Sequence, residues 1–187
     1  MSQSVRRQWL LTAVVFSITV GSASAAQGTP GGGAATVDGA RIVAADSEPQ
    51  NWLAHGRTYG EQRYSPLARI NDGNVEKLGL TWSFATATTR GLQASPIVVD
   101  GTMYTTGTWS VVWALDARTG RELWKYDPEV PRAWGRYLCC DAVNRGVAVW
   151  KGAVYVGTID GRLVSLDAKS GAKRWEVNTI DRTKAYS

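Results

Sequence analysis

Apolar residues fall into two regimes along this chain. From Trp9 to Val20 they form one uncharged stretch, whereas further on they come in short runs broken by Gly- and Asp-containing turns. Val154-Tyr155-Val156 and Leu163-Val164-Ser165-Leu166 are such runs, and their length and β-branched content predict strands rather than helices. Asp160-Gly161 between them is a hairpin signal. The runs also repeat. Residues 101–124, GTMYTTGTWSVVWALDARTGRELW, align without a gap on residues 152–175, GAVYVGTIDGRLVSLDAKSGAKRW, at an offset of 51 residues. Gly101 matches Gly152, Tyr104 matches Tyr155, Leu115-Asp116-Ala117 matches Leu166-Asp167-Ala168, Gly120 matches Gly171 and Trp124 matches Trp175. A whole pattern at a fixed offset marks a repeated structural unit.

Within the unit, Asp-x-x-x-Gly predicts a turn in which the Asp side chain caps backbone amides and Gly takes a positive φ. The Trp after it is expected to bury its ring between neighbouring sheets. Trp82, in Leu78-Gly79-Leu80-Thr81-Trp82-Ser83-Phe84, reads as the end of an earlier, partial unit, and Trp109 and Trp113 read as packing residues. A period of about 50 residues with three or four short strands and one Trp per unit predicts an all-β fold made of propeller blades. A β-sandwich is the competing architecture, but its strands do not repeat at a fixed offset.

Residues 1–26 combine Arg6-Arg7, the Trp9–Val20 stretch and Ala23-Ser24-Ala25, the three-part pattern of a secretory signal peptide cleaved near Ala26. The stretch falls short of the ~20 apolar residues of a spanning helix, so no stable membrane span is expected. Val5-Arg6-Arg7-Gln8-Trp9-Leu10 matches a twin-arginine signal only loosely. Gln27 to Ala35 is Gly-rich, and residues 27–50 are expected to form a flexible leader, with order beginning near Asn51. Export predicts a periplasmic location.

The 187 residues are 44% hydrophobic and 20% charged, which excludes a disordered or low-complexity chain. The net charge of +5 invites a nucleic-acid reading, but no run of five Lys or Arg occurs, and loss of Arg6 and Arg7 leaves 19 basic against 16 acidic residues. No nucleic-acid partner is expected. His55 and two cysteines cannot form a zinc site of the usual ligand count. Cys139 and Cys140 would meet oxidising conditions after export. Their Cα atoms are about 3.8 Å apart across a trans peptide, below the usual disulfide range of about 4.4–6.8 Å, so a bond between them closes a small, strained ring. Unlinked thiols, or cysteines bonded to another chain, are the alternatives.

Several stretches together resemble a known family: Asn51-Trp52, Gly56-Arg57-Thr58-Tyr59, Gln62-Arg63-Tyr64-Ser65-Pro66-Leu67, Arg90-Gly91 with Pro96, CCDAVNRG from Cys139 to Gly146, and Tyr155-Val156-Gly157-Thr158 with Asp160-Gly161-Arg162-Leu163. They resemble the pyrroloquinoline quinone (PQQ) dependent alcohol dehydrogenases, in particular the quinohaemoprotein branch. The resemblance covers roughly residues 50–187 and implies a partial β-propeller over 51–187. These would be the first two to three blades of the eight-bladed quinoprotein type, since about 137 residues from Asn51 cannot close a ring of 4–8 blades.

The resemblance also implies roles. Cys139 and Cys140 would form the vicinal disulfide that packs on one face of PQQ. Arg145 would pair with a PQQ carboxylate, as the always-charged, forked guanidinium suits it to do, with a surface pair to Asp141 as its alternative. The Thr158 hydroxyl would reach the cofactor's carboxylates, although by itself it is an ordinary strand-end Thr. Gln93 stands where the family usually has a glutamate, and it keeps the length and an acceptor oxygen but loses the charge and gains an NH2 donor. In the family a Ca2+ ion polarises the quinone, an Asp acts as general base on the alcohol, and a hydride passes to the quinone carbon C5. Those ligands and that base are expected beyond Ser187. Asp160 and Asp167 sit in repeated turn positions and are read as caps.

The branch also carries haem c on a C-x-x-C-H motif, which is absent here. The expectation is an amino-terminal fragment, or a truncated paralogue, that is inactive alone. Alcohol substrate, PQQ and a redox acceptor such as a cytochrome would belong to the complete protein. The alternative is a non-catalytic propeller serving as a protein-binding scaffold in outer-membrane assembly.

Overall fold

Four strands per repeat, each too short to bury a face alone, pair into two antiparallel sheets in a computed structural model that describes residues 35–181, 183 and 184. The expected signal peptide and residues 27–34 of the leader lie outside the described residues. The first sheet has the order β1 (Ile97–Val99), β2 (Thr102–Thr106), β3 (Val112–Asp116) and β4 (Glu122–Tyr126). The second is β5 (Ala148–Trp150), β6 (Ala153–Gly157), β7 (Arg162–Asp167) and β8 (Lys173–Asn178). The 51-residue offset holds down to the register. Ile97 faces Tyr104 as Ala148 faces Tyr155, and the register shifts at Ala114/Leu115 and again at the matching Ser165/Leu166.

The turn grammar is as expected. Asp116 Oδ1 accepts from the amides of Arg118 and Thr119 at 3.0 and 2.9 Å, and Asp167 Oδ1 accepts from Lys169 and Ser170 at 3.1 and 2.9 Å. A hydrogen bond from Arg174, joined by those of the turn, holds the Asp167 carboxyl down at about 2.

Gly171 (φ 71°) ends the second of these turns, and a Cβ there would lie 2.7 Å from Cδ2 of Trp124. Only glycine allows the indole that approach, so the first sheet's Trp seats on the second sheet's turn. Trp124 Nε1 then donates to Ala168 O at 3.0 Å, and Tyr104 Oη donates to the same carbonyl at 3.1 Å. Burial pushes the Tyr104 hydroxyl up to about 12. Trp82 repeats the arrangement one step earlier, with its ring on Gly120 and Nε1 donating to Ala117 O at 3.3 Å. Trp82 therefore serves as the ring of a preceding unit although it lies in no strand. Trp175 keeps the tilted stack on its tyrosine, 5.9 Å from Tyr155, but is 44% exposed where Trp124 is 8%.

One expectation needs correction. Residues 35–50 are not a flexible leader, because Ala35, Val37, Ile42 and Ala45 are buried, with Val37 completely so. Lys151 N and Gly152 N donate to Val37 O and Ala35 O at 2.9 and 2.8 Å, which ties the segment to the β5–β6 turn. Asp38 caps the short helix α1 (Gly39–Val43) by accepting from Arg41 N. Arg41 then clasps Glu48 at 2.6 Å and Asp100 at 2.5 Å, and its bond lowers the Glu48 carboxyl's pKa. Composition misled here because the apolar residues of 35–50 are small and scattered, and their partners lie on sheets far along the chain. Ala35, Val37, Ile42 and Leu53 share one core cluster with residues of both sheets.

The seating of Trp124 predicts a specific loss. Trp124→Ala is expected to lower unfolding stability by about 3–5 kcal/mol, as for other buried aromatic truncations, and Trp124→Phe by about 1 kcal/mol through the lost N–H bond. Urea unfolding of both variants measures the two.

Candidate functional site

Antiparallel pairing fixes which loops meet. The segments 88–96, 107–111, 139–147 and 157–161 flank β1, β2–β3, β5 and β6–β7 at one end of the sheets, while the Asp-x-x-x-Gly turns lie at the other. Gln93, Cys139, Cys140, Arg145 and Thr158 therefore share one end, from positions up to 65 residues apart in the sequence.

Backbone and amide contacts lock these loops together. Ser95 N donates to Arg145 O at 3.2 Å, and Gly146 lies so close to Ser95 O that an added Cβ would stand 2.9 Å from it. Asn144 is the hub. Its Nδ2 donates to Ser110 Oγ at 3.1 Å and to Gly157 O at 2.8 Å, while its Oδ1 accepts from Gly146 N at 3.0 Å. Ser110 is fully buried and occupies the repeat position that Gly161 fills in the second unit, with a similar φ, 61° against 79°. A side chain in the left-handed region is disfavoured. Ser110 is held there by two donors from the second unit, Asn144 Nδ2 and Ile159 N, the latter at 3.1 Å.

Each expected cofactor residue can now be placed. Gln93 is exposed, with no hydrogen bond from its side chain among the described residues. Arg145 is exposed as well and forms no ion pair among them. Its alternative partner, Asp141, is paired instead with Arg90. Thr158 is buried, and its hydroxyl serves its own turn. It donates to Asp160 Oδ1 at 2.5 Å and accepts from Arg162 N at 3.1 Å. Asp160, 1% exposed, is paired with Arg162, whose Nη2 reaches Pro128 O at 2.7 Å. Asp167 caps its turn's amides as read, whereas Asp160 is engaged by the Thr158 hydroxyl and by Arg162.

Cys139 and Cys140 stand side by side as exposed, free thiols. Adjacent Cα atoms sit closer than an ordinary disulfide requires, so the thiol pair is the unstrained arrangement. The hydrogen bond with Cys139 pushes the Cys140 thiol up, against the opposing charge of Arg145. Among the described residues no three His, Cys, Asp or Glu side chains gather to hold a metal ion, and no helix is long and apolar enough to cross a membrane.

Sequence reading missed three things. Asn144 was visible inside CCDAVNRG, but nothing in the string marks it as a hub. Ser110 had a signal, since it replaces a turn glycine of the repeat. Trp113 packs as expected, edge-on to Phe84 with centroids 5.9 Å apart, whereas Trp109 leaves the blade interior and lies under Arg132, 4.3 Å from its ring centroid.

Comparison with known proteins identifies the family and the fold. Residues 52–179 match the family profile of the PQQ glucose/ethanol/alcohol dehydrogenase β-propeller domain. The chain is 55% identical to the quinohemoprotein alcohol dehydrogenase ADH-IIG of Pseudomonas putida over 187 residues, 98% of this chain and 26% of that protein. The solved structure of that Pseudomonas putida enzyme superimposes with a TM-score of 0.80 at 62% identity, over 81% of this chain and 22% of the other. The quinohemoprotein alcohol dehydrogenase of Comamonas testosteroni gives 0.75 at 51% identity, over 78% and 22%. The chain spans about a quarter of the length of the curated relatives it matches.

Asn144→Ala removes the hub while leaving the loop's sequence otherwise intact. With its three hydrogen bonds lost, each worth about 0.5–1.5 kcal/mol net, local opening is expected to rise by roughly ten- to a hundredfold or more. Tryptic cleavage after Arg145, timed by mass spectrometry, reads that change, and an unaltered rate refutes the hub.

Proposed function

The chain belongs to the PQQ-dependent glucose/ethanol/alcohol dehydrogenase β-propeller family, and from that membership we propose that its two sheets form part of the cofactor-binding end of an enzyme oxidising alcohols. The observation that carries the reading is Arg145. It is an exposed guanidinium without an ion pair among the described residues, it is close enough to act on the Cys140 thiol, and it lies on the end where four loops converge. An exposed, unpaired guanidinium there is available to an anionic partner, and PQQ is a planar polycarboxylate. A guanidinium suits a carboxylate because it is permanently charged and offers parallel N–H donors.

The residues present fit that group in part. Arg145 would hold a carboxylate. Gln93, with a free side-chain amide, would offer one donor and one acceptor where the family usually presents a glutamate. Cys139 and Cys140, exposed side by side, would give a flat apolar wall once oxidised. Thr158 fits less well, because its hydroxyl already serves Asp160 and Arg162, and it would join only by releasing one of them. When bound, PQQ supplies a quinone that accepts a hydride from the alcohol carbon. This chain's own residues would bind and orient it.

Ca2+ as Lewis acid, a carboxylate base, haem c and an electron acceptor belong to the same proposal, but no described carboxylate is assigned to the metal or to the base. Asp116, Asp160 and Asp167 are committed to turns. Turnover from these residues alone is not expected. The signal-peptide pattern of residues 1–26 supports a periplasmic location, where oxidising conditions would close the Cys139–Cys140 ring. The scaffold alternative is not favoured, because relatives near 55% identity are alcohol dehydrogenases by name.

Two measurements test the reading. Arg145→Ala is expected to weaken PQQ binding, followed by equilibrium dialysis, by about ten- to a hundredfold, the range for losing a hydrogen-bonded charge. Arg145→Lys should retain part of the affinity, and equal affinity in wild type and Arg145→Ala overturns the assignment. Protein exported to an oxidising compartment should resist alkylation at Cys139 and Cys140 until reduced. Immediate labelling of both thiols there would rule out the ring.

A further inference from the structure

Beside the loop that carries the cysteines lies a second site, which the cofactor reading does not use. An open cleft of about 790 Å3 is lined by Arg90, Trp109, Arg132, Arg136, Leu138 and Asp141. Its charges are unbalanced. Arg90 is neutralised by Asp141, but Arg132 and Arg136 have no carboxylate partner among the described residues.

Trp109 organises the cleft. Its backbone is in the left-handed region (φ 61°), its amide is fixed by a 2.9 Å bond to Ala142 O, and its ring edge abuts the turn at Gly135. A non-glycine residue held at positive φ is strained and is found where surrounding contacts over-determine it, commonly at functional sites. The strained backbone holds the indole under Arg132, whose guanidinium carbon stands 4.3 Å above the ring, with Arg90 at 6.0 Å. Arg136 is fixed separately, donating to Tyr137 Oη at 2.6 Å and lying 4.7 Å from its ring centroid. Stacking on a ring leaves the charge of a guanidinium unneutralised while restricting its rotamers, so less entropy remains to be lost on binding. A concave wall also focuses the field of the two cations.

We propose that this cleft is an oxyanion-binding site, in which Arg132 and Arg136 receive a carboxylate or phosphate group and Trp109 holds Arg132 in place. The ligand class follows from the donors: two permanently charged, pre-oriented guanidinium forks suit oxyanions and reject cations and neutral alcohols. Its donors, Arg132 and Arg136, are not those assigned to PQQ, so its test is separate from that of the cofactor reading.

The full chain is titrated at constant ionic strength, balanced with chloride, with inorganic phosphate and in parallel with succinate, following indole fluorescence and heat. Saturable binding of at least one is expected, and the tighter of the two tells whether phosphate or carboxylate is the natural group. Arg132→Gln and Arg136→Gln should each weaken binding by about ten- to a hundredfold. Arg132→Lys, which keeps the charge and loses the fork, should weaken it less. Trp109→Phe should abolish most of the fluorescence change while calorimetric binding persists, which separates a folding defect from a lost reporter. Chloride reproducing the signal, no saturation by either anion, or unchanged affinity in both Gln variants that retain wild-type circular dichroism overturns the proposal.

Discussion

The contact between an indole and a turn glycine of the next unit is the constraint on which the rest of this structure depends. Trp124 on Gly171 and Trp82 on Gly120 are the same joint used twice. Each needs three features together: a turn that presents a bare Cα at positive φ, an aspartate that holds the turn's amides, and a carbonyl placed to accept the indole N–H. Remove the glycine's freedom and the ring cannot approach; remove the ring and the sheets lose a large buried aromatic contact. Because the joint lies at the end of the sheets opposite the candidate site, packing and binding are divided between two ends.

What the joint does at one end, Ser110 and Asn144 do at the other. Here the coupling is polar and buried, and it joins the β2–β3 loop of the first sheet to the loops of the second through one hydroxyl and one carboxamide. The cost of a left-handed serine is offset by those bonds, which could not form if the chain turned normally there. A glycine at that position would relax the backbone but leave Asn144 and Ile159 without their acceptor. The loop bearing Cys139, Cys140 and Arg145 is thereby fixed by the same residue that makes its neighbour strained.

The repeat and its strand content were legible because they rest on local rules. Alternating β-prone runs and Asp-x-x-x-Gly turns involve residues within five positions of one another, and the 51-residue offset compares the chain only with itself. The cysteine pair and the CCDAVNRG stretch were equally visible as strings. Residues 35–50 were misread for the complementary reason: what orders them is the β5–β6 turn and Asp100, more than fifty positions away, and nothing in a glycine-rich neighbourhood announces those partners.

By itself, then, the sequence determined the repeated β units and their 51-residue offset, their turn chemistry and the residues on which a cofactor reading must stand. Only the tertiary structure decided how those residues are engaged. It ties Asp141 to Arg90 and so leaves Arg145 without a partner among the described residues, it spends the Thr158 hydroxyl on Asp160, and it draws Trp109 out of the blade to carry Arg132. The physical reason is range. Strand and turn formation is governed by neighbouring dihedrals and side-chain period, whereas which charge is neutralised and which hydroxyl is free depends on loops brought together only after the sheets have formed.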